Sequence, residues 1–493
     1  MGFMESTHDE RLDRLKKLQS IQDAGVTPYA DKFERSDVLA DAKQKPENTT
    51  VKVCGRIVFL RNMGKLAFIK LQDFSGQLQA VLKVDVLGEK FDRLIDMIHV
   101  GDFIGVEGTI FTTQKGEISV MVQDYVFLSK SLRPLPEKWH GLQDTETVYR
   151  KRYLDLISNK ETMDRFKFRS DFLRELRNFY AKHNFVEIDT PVLQTSPSGA
   201  LAKPFKTHYN ALDMDVYLRI APEIFLKEAV VGGFDRVFEV ARVFRNEGMD
   251  ASHLQEFTMI EHYASYWDYA DNMKFTEEMF VEIIGKLKGT MEIQCINRDG
   301  EMVTVDLTPP WDRKTFRELL IEDCGIDIDL YPDTETLKAA IQKLGIQLKD
   351  IDTLGRGNMI DSLYKKVSRP KLVKPTFLTH HPIDISPLAR KNDDNPMVTD
   401  RFQLVLNGWE IVNAYSELVD PIDQAERFAK QAEYREGGDE EAMEKDDEYV
   451  EAMEHGMPPM SGWGMGVERV IALLTHQPNL RDVILFPLLK PKV

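Results

Sequence analysis

The stretch Val237–Tyr263, VFEVARVFRNEGMDASHLQEFTMIEHY, constrains the fold more than any other part of the chain. It reads as a hairpin, two apolar-rich strands joined by a polar loop. Side chains alternate between the two faces of a strand. At that period Arg245 and Glu247 share one face of the first strand. Phe257, Met259, Glu261 and Tyr263 share one face of the second. A core would want no charge there, so this face needs a polar occupant.

The length of 493 residues sets a prior of roughly two to four domains. An apolar content of 42% is ample for buried cores. No apolar run approaches the roughly 20 residues of a membrane span. The start, MGFMESTHDERLDRLKKLQ, has no apolar signal core, so a cytoplasmic location is expected. MGFMES has the form of a myristoylation signal, but a pattern this short arises by chance. The Asn48 sequon is one in form only in that compartment. Cys54, Cys295 and Cys324 are far apart and lack metal spacing, which argues against disulfides and structural zinc.

A net charge of -17 speaks against a polyanionic partner unless basic patches are local. Such patches exist in RLDRLKK and at Arg56, Arg61, Lys65 and Lys70. The acidic weight lies in Glu436–His455, which reads as a solvated helical face.

Residues 1–50 read as a helical N-terminal extension, with 10–45 helical and polar. Over 51–130, three strands, a helix and two further strands suggest an OB-type barrel. Within LAFIKLQD, Ala67, Ile69 and Leu71 share one face, while Phe68, Lys70 and Gln72 share the other. An aromatic on a Lys/Gln face suits base stacking; an ordinary surface Phe is the other reading. Residues 131–150 are a Pro-punctuated linker, and 151–493 form a larger domain with a mostly helical insertion at about 313–368. There FVEIDTPVLQ reads as a strand with Pro191 at a bend or edge, and APEIFLKEAVVGG as a helix. DRFQLVLNGWEIVNAYSELVD reads as a strand pair, and a Gly-rich turn then leads into a helix. The fold class expected is α+β, antiparallel strands flanked by helices.

SGWGMGVERVIALL sets Gly462, Gly464 and Gly466 before that helix. Too little chain follows for a dinucleotide-binding sheet. Glycines also let backbone approach a ligand, and Arg469 sits in the first helical turn, where the dipole disfavours a cation. An arginine there fits an anion; a plain surface arginine is the alternative. In WEIVNAYSELVD, Asn413, Tyr415 and Glu417 share one face, and Glu410 offers carboxylate oxygen to Mg²⁺. Two arginines, several carboxylates including Glu223, and aromatics suit a nucleoside triphosphate with Mg²⁺ beside a cationic small molecule.

These segments carry a resemblance. FVEIDTPVLQ, FRNEG…HLQEFTMIE and GWGMGVERVIALL resemble the three motifs of class II aminoacyl-tRNA synthetases. With SPLA, NAYSEL and LRDVILFP, the chain resembles a bacterial-type class II lysyl-tRNA synthetase end to end. The resemblance implies an N-terminal OB-fold barrel for the anticodon and a catalytic domain on an antiparallel sheet flanked by helices. It implies ATP-dependent attachment of L-lysine to tRNA(Lys) through a lysyl-adenylate, with Mg²⁺ as cofactor and a homodimer as the assembly. By similarity Arg245 and Arg469 are catalytic and bind ATP, with Glu247, His253, Phe257 and Glu410 also at ATP. The lysine pocket would use Gly199, Glu223, Glu261, Tyr263, Asn413, Tyr415 and Glu417. Glu410 and the residue at 403 would hold the metal, and Arg61, Phe68, Gln79 and Glu117 would read a uridine-rich anticodon.

The sequence departs from the family pattern twice. Gln403 replaces a usual acidic residue, and Ser252 replaces the usual Arg before His253. The first puts one metal contact in doubt, the second the loop's contact with ATP or the tRNA end. The competing readings are an aspartyl or asparaginyl enzyme, a paralogue that lysylates a translation factor, and a non-catalytic tRNA-binding paralogue. Pocket carboxylates speak against the first, and the barrel against the second.

Overall fold

The computed structural model describes residues 2–136, 142, 144–196, 199–200, 202–297, 300–352, 354–436 and 445–492. Part of the expected linker (137–141 and 143) and the middle of the acidic run (437–444) lie outside them. Contacts divide the chain into two units, Met1–Asp144 with Tyr153–Ser158, and Thr145–Arg152 with Asn159–Val493. No helix among the described residues is long and apolar enough to cross a membrane.

In the first unit β1 (Thr50–Asn62), β2 (Leu66–Gln72), β3 (Gln77–Lys83), β4 (Phe103–Thr112) and β5 (Ile118–Ser129) close into a barrel, in the order β1-β2-β3-β5-β4. The period-two reading of β2 holds: Ala67, Ile69 and Leu71 are buried, and Phe68, Lys70 and Gln72 alternate with them on the outer side. The leading segment differs from the expectation of helix through residue 45. One helix spans Gly2–Asp23 and another only Leu39–Ala42. Gly25, at φ 70°, turns the chain out of the first helix, and Pro28 cannot extend it.

The second unit contains β6 (Val186–Glu187), β7 (Leu193–Gln194), β8 (Phe205–Tyr209), β9 (Met214–Leu218), β10 (Arg236–Phe244) and β11 (Glu256–Ser265). It continues with β12 (Glu292–Ile296), β13 (Met302–Asp306), β14 (Asp312–Thr315), β15 (Thr376–Pro382), β16 (Val398–Leu406), β17 (Trp409–Ser416) and β18 (Met460–Gly466). Eight strands form the main sheet in the order β14-β15-β16-β17-β18-β11-β10-β6, antiparallel except at its two ends. FVEIDTPVLQ is therefore not one strand. It gives β6 and β7 to different sheets, broken at Asp189–Pro191, because proline cannot donate to a ladder.

Two further expectations change. β10 ends at Phe244, so Arg245 and Glu247 sit beyond the strand, although Arg245 still donates its backbone N–H to Gln255 O at 2.8 Å. The three glycines are not a turn. Gly462, Gly464 and Gly466 belong to β18, the central strand between β11 and β17.

The back of the sheet is apolar. Ile260, Trp463 and Met465 pack with Phe172, Leu176 and Phe179 of the helix Lys160–Lys182 and with Met279 and Ile283 of the helix Tyr269–Lys288. A polar pin crosses this core. His262 Nδ1 accepts from Tyr180 Oη at 2.8 Å, and its Nε2 donates to Asn272 Oδ1 at 2.8 Å. Its ring stacks on Trp463 at 5.0 Å. Both roles require the neutral ring, and burial pushes its pKa down to about 3. His262 lies between Glu261 and Tyr263, so anchoring it behind the sheet fixes both on the front. Residues 316–367 carry three helices around a core of their own, including Phe316, Leu337, Ile360 and Leu363.

Candidate active site

A cavity of about 420 Å³ lies on the front of the sheet. Phe257, Met259, Glu261 and Tyr263, the face read from period two, all line it. So do Asn413 and Tyr415 from β17 and Gly462, Gly464 and Gly466 from β18. Gly199, Glu223, Arg245, Glu247, His253, Gln403, Glu410 and Arg469 complete the expected set around its wall. Glu417 is the exception. It is buried just beneath, with Oε1 against Gly462.

Carboxylates dominate one part of the site. Glu223 opens the helix Glu223–Val231 and accepts from Tyr415 Oη at 2.6 Å. Lys227, one turn along, places Nζ 2.5 Å from Glu223 Oε1 and 2.6 Å from Glu417 Oε2. Glu261 Oε2 is buried and has no hydrogen-bond partner. Burial, then the nearby Glu223, push its pKa well above the usual carboxylate range, against the pull of Arg245 and Lys227. Gly199 adopts φ 88°, and a Cβ on it would meet Glu223 Cβ at 3.0 Å, so conformation and space both require glycine. Lys227 did not stand out in the sequence, yet APEIFLKEAVV shows it: Glu223 and Lys227 are spaced i,i+4 on a mostly apolar helix.

Guanidinium groups dominate the other part. Arg245 lies 5.3 Å over the Phe257 ring. Arg469 Nη1 donates to Glu410 O at 2.9 Å. Arg401, not singled out from sequence, donates from Nε to Asn413 Oδ1 at 2.9 Å, and from Nη1 to Ile385 O at 2.7 Å and Ser386 Oγ at 3.0 Å. With its oxygen engaged, Asn413 keeps its NH₂ to donate to a ligand. The signal for Arg401 was its place two residues before Gln403 on one strand face. Burial lowers the pKa of all three arginines, opposed by nearby carboxylates, Glu410 among them. They remain charged at any ordinary pH.

The hairpin loop shows what replaces the missing arginine. Asp250 Oδ1 accepts from Ser252 N at 2.6 Å and Ser252 Oγ at 2.9 Å, and Asp250 Oδ2 lies 2.9 Å from His253 Nδ1. Burial works against the Asp250 anion, but bonds from His253 and Ser252 hold its pKa at about 2. His253 therefore lines the cavity already paired.

Among the described residues no group of three or more His, Cys, Asp or Glu gathers as a metal cage. Glu410 is a single carboxylate, and Gln403 beside His381 is neutral. This set fits a Mg²⁺ shared with substrate phosphates and water, not an all-protein site.

On the barrel, Arg61 pairs with Phe68 across β1 and β2, and Lys70 pairs with Gln79 across β2 and β3. Gln79 Nε2 donates to Ser119 Oγ at 3.0 Å, and Lys70 Nζ is 3.9 Å from Glu117 Oε1. Arg61, Phe68 and Gln79 thus lie on neighbouring strands, and Glu117 lies just before β5.

Residues 144–490 match the family of class II tRNA synthetases for D, K and N, and residues 51–128 match the OB-fold nucleic acid binding domain. The chain belongs to this class II synthetase family. The lysine–tRNA ligase of Syntrophomonas wolfei is 44% identical to the synthetase, covering 97% of this chain and 96% of its own. That of Pelotomaculum thermopropionicum is 44% identical, covering 97% and 94%. That of Thermotoga maritima is 43% identical, covering 97% and 95%. The similarity spans both units, so the fold class read from sequence, barrel then α+β catalytic sheet, stands.

Proposed function

We propose that the chain attaches L-lysine to tRNA(Lys) with ATP, through a lysyl-adenylate. The observation that carries this reading is the buried carboxylate cluster, with Glu261 Oε2 unpartnered at the cavity. A buried unpaired carboxylate is costly, so the site is built to receive a cation. An anionic amino acid would meet repulsion, and an apolar one would leave these groups unpaired, a penalty of up to about 10⁴–10⁵-fold.

No general base is needed for activation. The lysine carboxylate is already the nucleophile and attacks the α-phosphorus in line, expelling pyrophosphate. Arg245, which lines the cavity, would bridge the two anions. Asn413 donates its NH₂, Phe257 stacks the adenine, and Glu247, His253 and Arg469 hold the nucleotide. Positioning and charge stabilisation supply the rate. A terminal ribose hydroxyl of the tRNA then attacks the carbonyl carbon of the adenylate, forming the ester as the carbonyl–phosphate bond breaks and AMP leaves. Glu410, with Gln403 beside it, would hold Mg²⁺ against the phosphates, and the ion would neutralise phosphate charge.

Arg61, Phe68, Gln79 and Glu117 would read the anticodon, the aromatic ring stacking a base. A homodimer would cover the exposed apolar Val186, Val192 and Leu193 of the first motif. The setting is the cytoplasm. Amino-acid-dependent exchange of labelled pyrophosphate into ATP tests the reading. Exchange with lysine alone is expected. Exchange with aspartate or asparagine, or with no amino acid, would overturn it.

A further inference from the structure

The scheme above leaves Lys227, a buried charge beside the carboxylate cluster, unused. Lys227 is 0% exposed at its side chain, and its ammonium is held from every side. Its own helix presents Glu223, and Glu417 comes from just past the end of β17, at 2.5 and 2.6 Å. Three aromatic rings surround the ammonium as well: Tyr263 of β11 at 5.7 Å, Tyr415 of β17 at 5.6 Å, and Tyr449 of the helix Asp447–Glu454 at 5.6 Å. Lys227 does not line the cavity. It is a fixed internal cation behind the wall that the substrate ammonium would approach.

Three carboxylates this close cannot all stay ionised in a buried site without cations. A buried carboxylate with no counter-charge takes up a proton instead. A protonated carboxyl offers an ammonium much less than a carboxylate does. Resting on the lysine-activating reading, we propose that Lys227 is a positioning and specificity-determining residue. Its ammonium pairs with Glu223 and Glu417 and aims both, leaving a pocket that accepts a single external ammonium.

The other groups facing this cluster are consistent with that division. Burial and the neighbouring carboxylates raise the pKa of Tyr263 and Tyr415, so both stay neutral donors. Burial raises Tyr449 as well. Burial pushes Glu417 up to about 8, outweighing Lys227, the first force pulling it down. Burial would lower Lys227, but Glu223 and Glu417 outweigh it and raise it. Glu261 is pushed up by burial, Glu223 and Glu239 and drawn down by Arg245 and Lys227.

The test compares the full-length protein with Lys227→Met, which keeps the length of the side chain and removes the charge. Lysine-dependent pyrophosphate exchange is measured from pH 6.5 to 8.5, and proton release on lysine binding by calorimetry in two buffers at pH 7. We expect the variant's KM for lysine to rise strongly at pH 7 and to fall about tenfold per pH unit as the carboxylates ionise. The kcat and the KM for ATP should stay within about twofold. Lysine binding should release about one more proton than in the unsubstituted protein, and discrimination against norleucine, an uncharged near-isostere, should collapse. A merely structural lysine would give losses independent of pH and no extra proton, which overturns the proposal. Should the variant fail to fold, the unsubstituted protein decides. Release of at most two protons, from Glu261 and Glu417, supports the proposal, and more than two overturns it. Absence of lysine-dependent exchange in the unsubstituted protein would instead overturn the reading on which this one rests.

Discussion

Gly462→Ala puts the geometry of the carboxylate cluster to a quantitative test. A Cβ at this position would stand 2.3 Å from Glu417 Oε1 and 2.5 Å from Tyr263 Cε1. Carbon atoms pack at about 3.5–4.0 Å, so the ring must withdraw by about 1 Å, and the carboxylate with it. The strand cannot yield instead, because Gly462 is paired to Tyr263 on one side and Tyr415 on the other. Overpacking of this kind destabilises by about 1–3 kcal/mol. The functional loss should be larger. A displacement of about 1 Å in a positioned group can reduce turnover about 10²-fold. It should fall on lysine rather than ATP, since Glu417 and Tyr263 belong to the carboxylate cluster. The neighbouring glycines grade the effect. At Gly464 the added carbon meets Glu261 Cγ at 3.4 Å, an ordinary contact, and at Gly466 nothing lies within 4 Å. Pyrophosphate exchange with separate lysine and ATP titrations should rank Gly462→Ala as severe, Gly464→Ala as mild and Gly466→Ala as near neutral. A lysine KM within twofold of the unsubstituted value in Gly462→Ala would refute the reasoning. So would equal damage from Gly466→Ala.

Glu261→Ala should abolish lysine-dependent exchange, because the substrate ammonium loses a buried partner; unchanged turnover would remove Glu261 from the pocket. Phe68→Ala should weaken aminoacylation by about 1–3 kcal/mol of lost stacking and spare adenylation; an equal fall in adenylation would contradict separate tasks for the two units. Gln403→Glu should shift the Mg²⁺ dependence of exchange by adding a charged oxygen donor, whereas an unaltered titration would put Gln403 away from the metal. His262 sets a pH dependence. Its pKa is about 3 folded and about 6.5 unfolded, so the unfolded state binds the extra proton between those values. Stability is therefore complete above about pH 6.5 and declines as pH falls, by about 1.4 kcal/mol per unit from this residue. Urea unfolding at pH 5 and 7 should show the slope reduced by one proton in His262→Gln, and an unchanged slope would mean His262 is already charged in the fold.

The barrel and the front face of β11 were legible because both depend on period two, which one strand records in its own sequence. Phe257, Met259, Glu261 and Tyr263 line the cavity as that period requires. The glycines of β18 were misread as a turn because local sequence records flexibility and not neighbours. Their reason lies in contacts from distant segments, Glu417 and Tyr263 at Gly462 and Glu261 at Gly464. Arg245 was placed on a strand that ends one residue earlier. The error was small because backbone pairing with Gln255 holds the next residue in line. The extension before the barrel was read as too helical, since polar composition alone does not show where Gly25 redirects the chain.

Lys227 and Arg401 were missed for a deeper reason. Each acts through a residue that was found: Lys227 through Glu223 and Glu417, Arg401 through Asn413. Sequence patterns favour groups that share a face with the ligand, whereas these two stand behind or beside that face. Yet the site depends on them. A sheet whose back is packed with Phe172, Trp463 and Ile260 can present charge on its front only if that charge is compensated within the protein. Lys227 does this among the carboxylates, and Glu410 does it among Arg245, Arg401 and Arg469. Each cluster thus carries counter-charge of its own, with Glu247 and Glu261 also acting on Arg245 and Arg245 on Glu261, which limits how much charge a ligand must bring. On the proposed reading, a substrate pair with an ammonium at one end and phosphates at the other matches that residual imbalance at both ends, and its reacting atoms would meet at Arg245, on which Glu261 and Glu410 both act.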